Sequence, residues 1–283
     1  MAKQKDSIVE TDWTSLTLGE RIKHLEVEGY LVLPDLLDPI QIQELRAETQ
    51  EFQTVAVDYS VHQRGCLDIQ FWGGPVTELI AHVPTIAFLK TLFGEQVIFM
   101  SYDYACSEPG HPGISLHCDG QPWGSKIFGY EQSCPRLIRV LYYLEDLTPL
   151  VSPFKVVPRS HLSFHNDGNP YLRYEEHPEQ VMVTCSAGSA VLINQNVFHG
   201  NYPNIGTSPR EMLGIAYRPA WAGPSGKVQP WDPKKLNKVP STVRELMADP
   251  NTRMWNFDGG NKPPDMPREA SGIDPSRWKI VGE

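Results

Sequence analysis

From residue 97 to 221 the chain is a series of short apolar runs broken by Pro, Gly and Asn, with no helical pattern between them. Proline withholds a ladder donor and glycine opens positive-φ turns, so such punctuation keeps each strand to a few residues. Eight runs stand out, at 97–105, 113–119, 136–145, 153–158, 181–185, 189–194, 197–201 and 210–221. Eight short strands with turn signals between them predict an antiparallel sandwich or jelly roll. The 25 prolines among 283 residues are close to double an average usage of about 5%. With 22 glycines they exclude a fold built from long helices, while an apolar content of 40% supplies a core.

The residues before this region read differently. Thr17-Leu18-Gly19-Glu20 has the form of a capping box, and Leu18, Ile22 and Leu25 follow at helical spacing up to Gly29, which can end the helix in the left-handed region. Tyr30-Leu31-Val32-Leu33 reads as a strand closed by Pro34. Asp38 as cap and Pro39 at the first helical position open a second helix with the stripe Ile42, Leu45, Thr49 and Phe52. A third helical stretch runs from about Val76 to Phe93, is interrupted at Pro84 and ends at Gly94. The expected architecture is mainly β with a helical N-terminal part: a double-stranded β-helix, or jelly roll, of cupin-like form flanked by helices. We expect one domain over 1–283, with helical support over about 17–96, the jelly-roll core over 97–221 and a proline-rich tail over 222–283. The tail carries Trp231, Trp255, Phe257 and Trp278, so it is expected to pack on the core.

A net charge of −9 and the absence of any Lys/Arg run disfavour a nucleic-acid partner. The N-terminus is polar, and no stretch reaches the roughly 18 apolar residues of a membrane span. Five cysteines, odd in number and without a Cys-x-x-Cys pair, disfavour a disulfide framework and a structural zinc site. Together these features lead us to expect a cytoplasmic protein with a small-molecule substrate and no membrane partner.

Four histidines are followed two residues later by a carboxylate, against about one expected by chance from this composition. His24 and Glu26 lie on a helical pattern, where residues two apart face different ways. His165-Asn166-Asp167-Gly168 is turn chemistry, and His177-Pro178-Glu179 contains a strand breaker. Only His117-Cys118-Asp119 ends a plausible strand, on which residues two apart project to one face. An imidazole nitrogen and a carboxylate oxygen can then converge on one ion. His199, ending the run 189–199, is the best candidate for a third ligand and would complete a 2-His-1-carboxylate facial triad for Fe(II). Arg210 follows eleven residues later, beyond a turn rich in Pro, Asn and Gly. A hairpin there would bring its guanidinium back beside the ligands, placed to bind a carboxylate in bidentate fashion.

Together these segments resemble the phytanoyl-CoA dioxygenase-like family of Fe(II)/2-oxoglutarate oxygenases over about residues 21 to 221. The likeness is carried in order by Glu28-Gly29-Tyr30-Leu31-Val32-Leu33-Pro34, His117-Cys118-Asp119-Gly120, Val156-Val157-Pro158-Arg159-Ser160-His161, and His199-Gly200 with Arg210. It implies that His117, Asp119 and His199 hold iron and that Arg210 clamps the distal carboxylate of 2-oxoglutarate. It also implies that Asn201, with Tyr104 as a weaker candidate, contacts the co-substrate, and that Trp123 lies where relatives meet substrate. The implied cofactors are Fe(2+), 2-oxoglutarate and O2. The implied reaction is hydroxylation of an unactivated C–H, or a desaturating or ring-forming variant, with release of succinate and CO2. Because Asp119 is present, halogenation is disfavoured. Arg159 stands where the family commonly has Gly.

Arg139, inside the very apolar run Leu137 to Leu144, either pairs with a carboxylate or binds an anionic substrate, and it is carried as a substrate-binding candidate. Cys118 and His161 read as structural. Two other functions stay open at this level: a cupin-like metalloenzyme that does not use 2-oxoglutarate, and a non-catalytic ligand-binding jelly roll. The substrate and the oligomeric state are not legible in the sequence.

Overall fold

Two sheets, antiparallel except for one parallel edge pair, make up the computed structural model, which describes residues 7–57, 59–119, 135–163, 176–223 and 230–249. The chain divides into two units, Met1–Asp249 and Pro250–Glu283, and the second lies outside the described residues. In chain order the first unit holds β1 (Ser7–Ile8), α1 (Leu18–Glu28), β2 (Tyr30–Leu33), α2 (Pro39–Thr49), β3 (Val55–Val57), β4 (Ser60–Cys66), α3 (Gly74–Glu78) and α4 (Val83–Phe93). Then follow β5 (Val97–Ser107), β6 (Ile114–His117), β7 (Ile138–Tyr143), β8 (Phe154–Val156), α5 (Ser160–Ser163), β9 (Val181–Val183), β10 (Ala190–Asn194), β11 (His199–Asn201), β12 (Arg210–Pro219), α6 (Pro233–Leu236) and α7 (Ser241–Leu246). The smaller sheet has the order β1-β9-β8-β11-β6, and the larger one β2-β10-β7-β12-β5-β4-β3. Each of the eight runs expected between 97 and 221 is a strand. The architecture is the jelly roll.

The N-terminal helices form for the reasons their caps suggest. Thr17 accepts from the Glu20 amide while the Glu20 carboxylate accepts from the Thr17 amide at 2.8 Å. Asp38 accepts from the amides of Ile40 and Gln41, and Gln41 returns a bond to the Asp38 amide. Gly29 ends α1 at φ +82°, and a Cβ there would lie 2.5 Å from His161 Nδ1, so no other residue fits. His161 itself is buried, with its Nε2–H donating to the Glu26 carbonyl, which is the structural role expected for it.

Packing assigns the two faces of the larger sheet. On its outer face Ile138, Val140 and Tyr142 of β7 and Leu213, Ile215 and Tyr217 of β12 are fully buried with Ile80 and Leu89. Tyr142 donates to Thr85 at 2.7 Å and Tyr217 to the Ile80 carbonyl at 2.8 Å, satisfying both phenols inside the core. Each of these aliphatic side chains contributes roughly 1.5–3 kcal/mol by leaving water. Residues 74–93 are long and apolar enough, by length and composition, to cross a membrane. They are instead three helical pieces, with Pro75 and Pro84 at the starts of α3 and α4, and they bury Val76, Leu79, Ile80, Phe88 and Phe93 in this core.

Two expectations need correction. The stretch 17–96 is not helical support alone, because β2 pairs with β10, and the β3–β4 hairpin extends the larger sheet along β5. That hairpin carries Ser60, His62, Gln63 and Arg64 in a mostly solvent-facing strand, so it lacks an apolar period. Second, the start of the tail is partly helical: α7 buries Val243 and Leu246, and Trp231 packs edge-on against Phe71 at 5.7 Å. Trp255, Phe257 and Trp278 lie outside the described residues.

Arg159 adopts φ +65°, the left-handed conformation that glycine takes without a Cβ penalty. Its amide donates to the Glu28 carbonyl, which holds the turn against α1. Arg159→Gly should therefore raise stability by about 0.5–1 kcal/mol, the relieved strain exceeding the added chain entropy. Chemical denaturation checks this, and a lower midpoint would contradict it.

Candidate functional site

The smaller sheet sets two histidines side by side. His199 of β11 is the direct antiparallel partner of His117 of β6, and their ring centroids are 4.4 Å apart. His117 Nδ1–H donates to the Ser115 carbonyl at 2.9 Å, and His199 Nδ1–H to the Val197 carbonyl at 3.0 Å. A carbonyl only accepts, so Nδ1 carries a proton in both rings and Nε2 is the atom left to act as a ligand. Asp119 comes from the residue pair just after β6, and its amide is fixed by the Gln195 carbonyl at 2.7 Å. Its carboxylate oxygens lie 4.0 Å from His117 Nε2 and 3.8 Å from His199 Nε2. One ligand atom from each of the three residues falls within 4.8 Å of the others, a group that can hold a metal ion.

The electrostatics favour the ligand forms. Burial, and then the neighbouring His117, push the His199 imidazole down to about 4, so it is neutral near pH 7. Burial raises the Asp119 carboxyl, but the combined pull of His199, Arg139 and His117 outweighs it and holds the group below its ordinary value. Two imidazoles and one carboxylate are the donor set that suits Fe(II) while leaving coordination positions open. Cys118 turns the other way into a small apolar cluster with Leu116, Val157 and Phe198, as expected for a residue on the opposite face.

Arg210 arrives from the other sheet. The segment 202–209 is not a hairpin: β11 pairs with β6 and β8, whereas β12 pairs with β5 and β7. The guanidinium nonetheless comes back towards the histidines through one residue, Tyr143. Arg210 sits over the Tyr143 ring at 5.8 Å, and the Tyr143 phenol shares a side-chain hydrogen bond with Asn201, which is two residues beyond His199 on the same strand face. Arg210 is 1% exposed. It donates to Ser107 Oγ, which in turn donates to Gln63 Oε1. Among the described residues no carboxylate pairs with Arg210, and its buried Nε has no hydrogen-bond partner. A buried guanidinium in that condition costs several kcal/mol until an anion meets it, so the site fits a carboxylate-bearing ligand.

The remaining candidates separate. Tyr104 is three residues from Ser107 on β5 and so points to the opposite, helix-packed face, where it stacks edge-on with Phe52 and donates to Glu211 at 3.0 Å. It is not brought to the site. Arg139 already holds two carboxylates, Asp119 at 3.2 Å and Asp103 at 3.3 Å, so its charge is engaged by the protein and not left for a substrate. Trp123 lies outside the described residues. Tyr143, Ser107, Gln63 and Asp103 escaped the sequence reading. Of these only Asp103 had a signal, as a lone carboxylate inside an apolar strand.

The phytanoyl-CoA dioxygenase (PhyH) family model matches residues 75–212, a span that takes in both histidines, Asp119 and Arg210. The matched span is just under half of the chain. The protein is a non-haem iron and 2-oxoglutarate-dependent enzyme. A curated relative, the ectoine dioxygenase of Nocardia farcinica (strain IFM 10152), is 22% identical over 233 residues, covering 70% of this chain and 77% of that protein. Among solved structures, the non-haem α-ketoglutarate-dependent epimerase SnoN from nogalamycin biosynthesis superposes with a TM-score of 0.61 at 18% identity, covering 76% of this chain and 90% of that one. HygX from Streptomyces hygroscopicus, solved with nickel and 2-oxoglutarate bound, gives 0.60 at 18% identity over 73% and 89%. These likenesses show that the protein has the fold of those enzymes.

A pH dependence follows from His111, which is buried behind the Arg210 pocket. Burial first, then the charges of Arg210 and His62, push it down to about 4. A base whose folded value is depressed takes up a proton on unfolding, so its contribution to stability is lost as pH falls from about 6.5 towards 4. The loss should be on the order of 1–3 kcal/mol, and thermal unfolding of wild type and His111→Asn across this window should show the steeper fall in wild type. Parallel curves would contradict it.

Proposed function

We propose that the protein is an Fe(II)/2-oxoglutarate-dependent hydroxylase of a small molecule, in which His117, Asp119 and His199 hold iron and Arg210 binds the distal carboxylate of 2-oxoglutarate. The observation that carries this is the guanidinium of Arg210, buried without a carboxylate partner among the described residues and linked through Tyr143 and Asn201 to a three-residue metal-binding group. A metal site alone would suit a metalloenzyme of another kind. The nearby cation selects an anionic co-substrate that reaches both ends.

Bound there, iron and 2-oxoglutarate supply the oxidising chemistry: O2 gives one atom to succinate as CO2 leaves and the other to a C–H bond. The chain's residues do the rest. His117 and His199 are oriented by their Nδ1–H bonds to carbonyls, which leaves Nε2 as the atom each would offer a metal. Ser107 and Gln63 hold the Arg210 fork in orientation, and the Tyr143 ring closes one side against water. Asn201, hydrogen-bonded to Tyr143 and donating to the Ser152 carbonyl at 3.4 Å, adds a neutral polar contact beside the co-substrate. Hydroxylation is the outcome we propose. The epimerase and the carbocyclase SnoK among the fold's neighbours act by other outcomes, so the product decides between them.

Arg210→Ala should raise the KM for 2-oxoglutarate by about 10–100-fold, the worth of a charge-assisted hydrogen bond at roughly 1.5–3 kcal/mol. The assay is succinate formation with added Fe(II). An unchanged KM with retained activity would replace this reading with a metalloenzyme that does not use 2-oxoglutarate.

A further inference from the structure

Arg139 is half-buried in the wrong kind of strand for a charge. Its neighbours Ile138 and Val140 are fully buried, and the whole of β7 is apolar except at this position. The guanidinium lies on the inner face of the larger sheet and divides its two ends between carboxylates. One amino group donates to Asp119 Oδ2 at 3.2 Å and the other to Asp103 Oδ2 at 3.3 Å. Asp103 is on β5, and β12 lies between β5 and β7. The side chain therefore crosses two strand spacings, about 10 Å, along the face of the sheet.

The intervening strand is open where it passes. Gly214 of β12 is the register partner of Asp103, and a Cβ at that position would lie 3.4 Å from Arg139 Nη2 and 3.2 Å from Met212 Sδ. Its missing side chain leaves a slot for the guanidinium. Asp103 is braced in turn by the Asp68 backbone amide. The result is a chain of contacts from residue 68 through Asp103 and Arg139 to one oxygen of Asp119. Oδ1 takes no bond from Arg139 and lies 4.0 Å from His117 Nε2, while the Arg139-bound Oδ2 lies 3.8 Å from His199 Nε2.

We propose that Arg139 is a positioning residue for the metal carboxylate: braced by Asp103 across the Gly214 slot, it occupies one oxygen of Asp119 and leaves the other alone for the metal. This rests on the metal reading given above. A carboxylate free to turn can place both oxygens on an ion, filling a position that the 2-oxo acid or O2 needs. Partners that orient a metal's ligands in this way are typically worth 10–100-fold in metal affinity or activity.

The charges allow a clean test. Asp119, Arg139 and Asp103 sum to one negative charge, and so does Asp119 alone in the double variant Asp103→Asn/Arg139→Met. The double variant thus removes the clamp without changing the net charge beside the metal. We expect Co(II) added to the metal-free full chain to bind about 10–100-fold more weakly to it than to wild type, with an altered visible absorption spectrum from the changed ligand set. Asp103→Asn alone should shift affinity the same way by less, and Arg139→Lys, which keeps one donor, should bind better than Arg139→Met. The thermal midpoint of metal-free Asp103→Asn should stay close to that of wild type, which separates positioning from folding. Wild-type affinity and spectrum in the double variant, or in Asp103→Asn if the double variant does not fold, would overturn the proposal while leaving the metal site standing. If wild type binds Co(II) no better than His199→Ala, the metal reading fails and the clamp fails with it.

Discussion

Everything at the site depends on the register between β6 and β11. His117 opposite His199 puts two imidazoles on one face at the distance of a shared ion, and the pleat returns Asp119 and Asn201 to that face two residues on. A slip of one residue would turn all of them outward and bring Cys118 and Gly200 in. The register is held by apolar packing of Leu116, Cys118, Val157 and Phe198 behind the sheet and by the Asp119 amide bound to Gln195. A β-irregularity between His199 and Asn201 ends the regular pairing just past the ligand pair. The metal group is thus a by-product of how a short, buried strand pair closes.

The larger sheet contributes the opposite charge. Its outer face is dry and packed with helices, and its inner face carries Arg210 and Arg139, two guanidinium groups in a protein of net charge −9. Arg139 is neutralised by Asp119 and Asp103, whereas no carboxylate among the described residues pairs with Arg210. That asymmetry separates a structural cation from one that awaits an anion. The two sheets share the site: the carboxylate and imidazoles of the metal-binding group come from the smaller sheet and its following turn, and the Arg210 guanidinium from the larger.

Much of this was legible in the sequence, and the failures have physical causes. His117-x-Asp119 could be chosen over three similar pairs because strands repeat every two residues and helices and turns do not. The caps at Thr17 and Asp38 and the left-handed Gly29 were local chemistry, readable without the fold. Tyr104 was misplaced because β5 mixes buried and half-buried residues on both faces, so its run gives no clear parity. The β3–β4 hairpin was missed because a solvent-facing strand of Ser, His, Gln and Arg has no apolar period. The expected hairpin before Arg210 was wrong because turn residues report a reversal and not which sheet the next strand joins. For Arg139 the sequence posed the right alternatives, and only the contact to Asp103 chose between them.

The most direct test of the two-layer site is a crystal of the protein grown anaerobically with Fe(II) and 2-oxoglutarate. The account predicts a single anomalous peak bonded to His117 Nε2, His199 Nε2 and Asp119, with the far carboxylate of 2-oxoglutarate against the Arg210 guanidinium. A metal held elsewhere, or a 2-oxoglutarate that binds iron and leaves Arg210 without an anion, would contradict it.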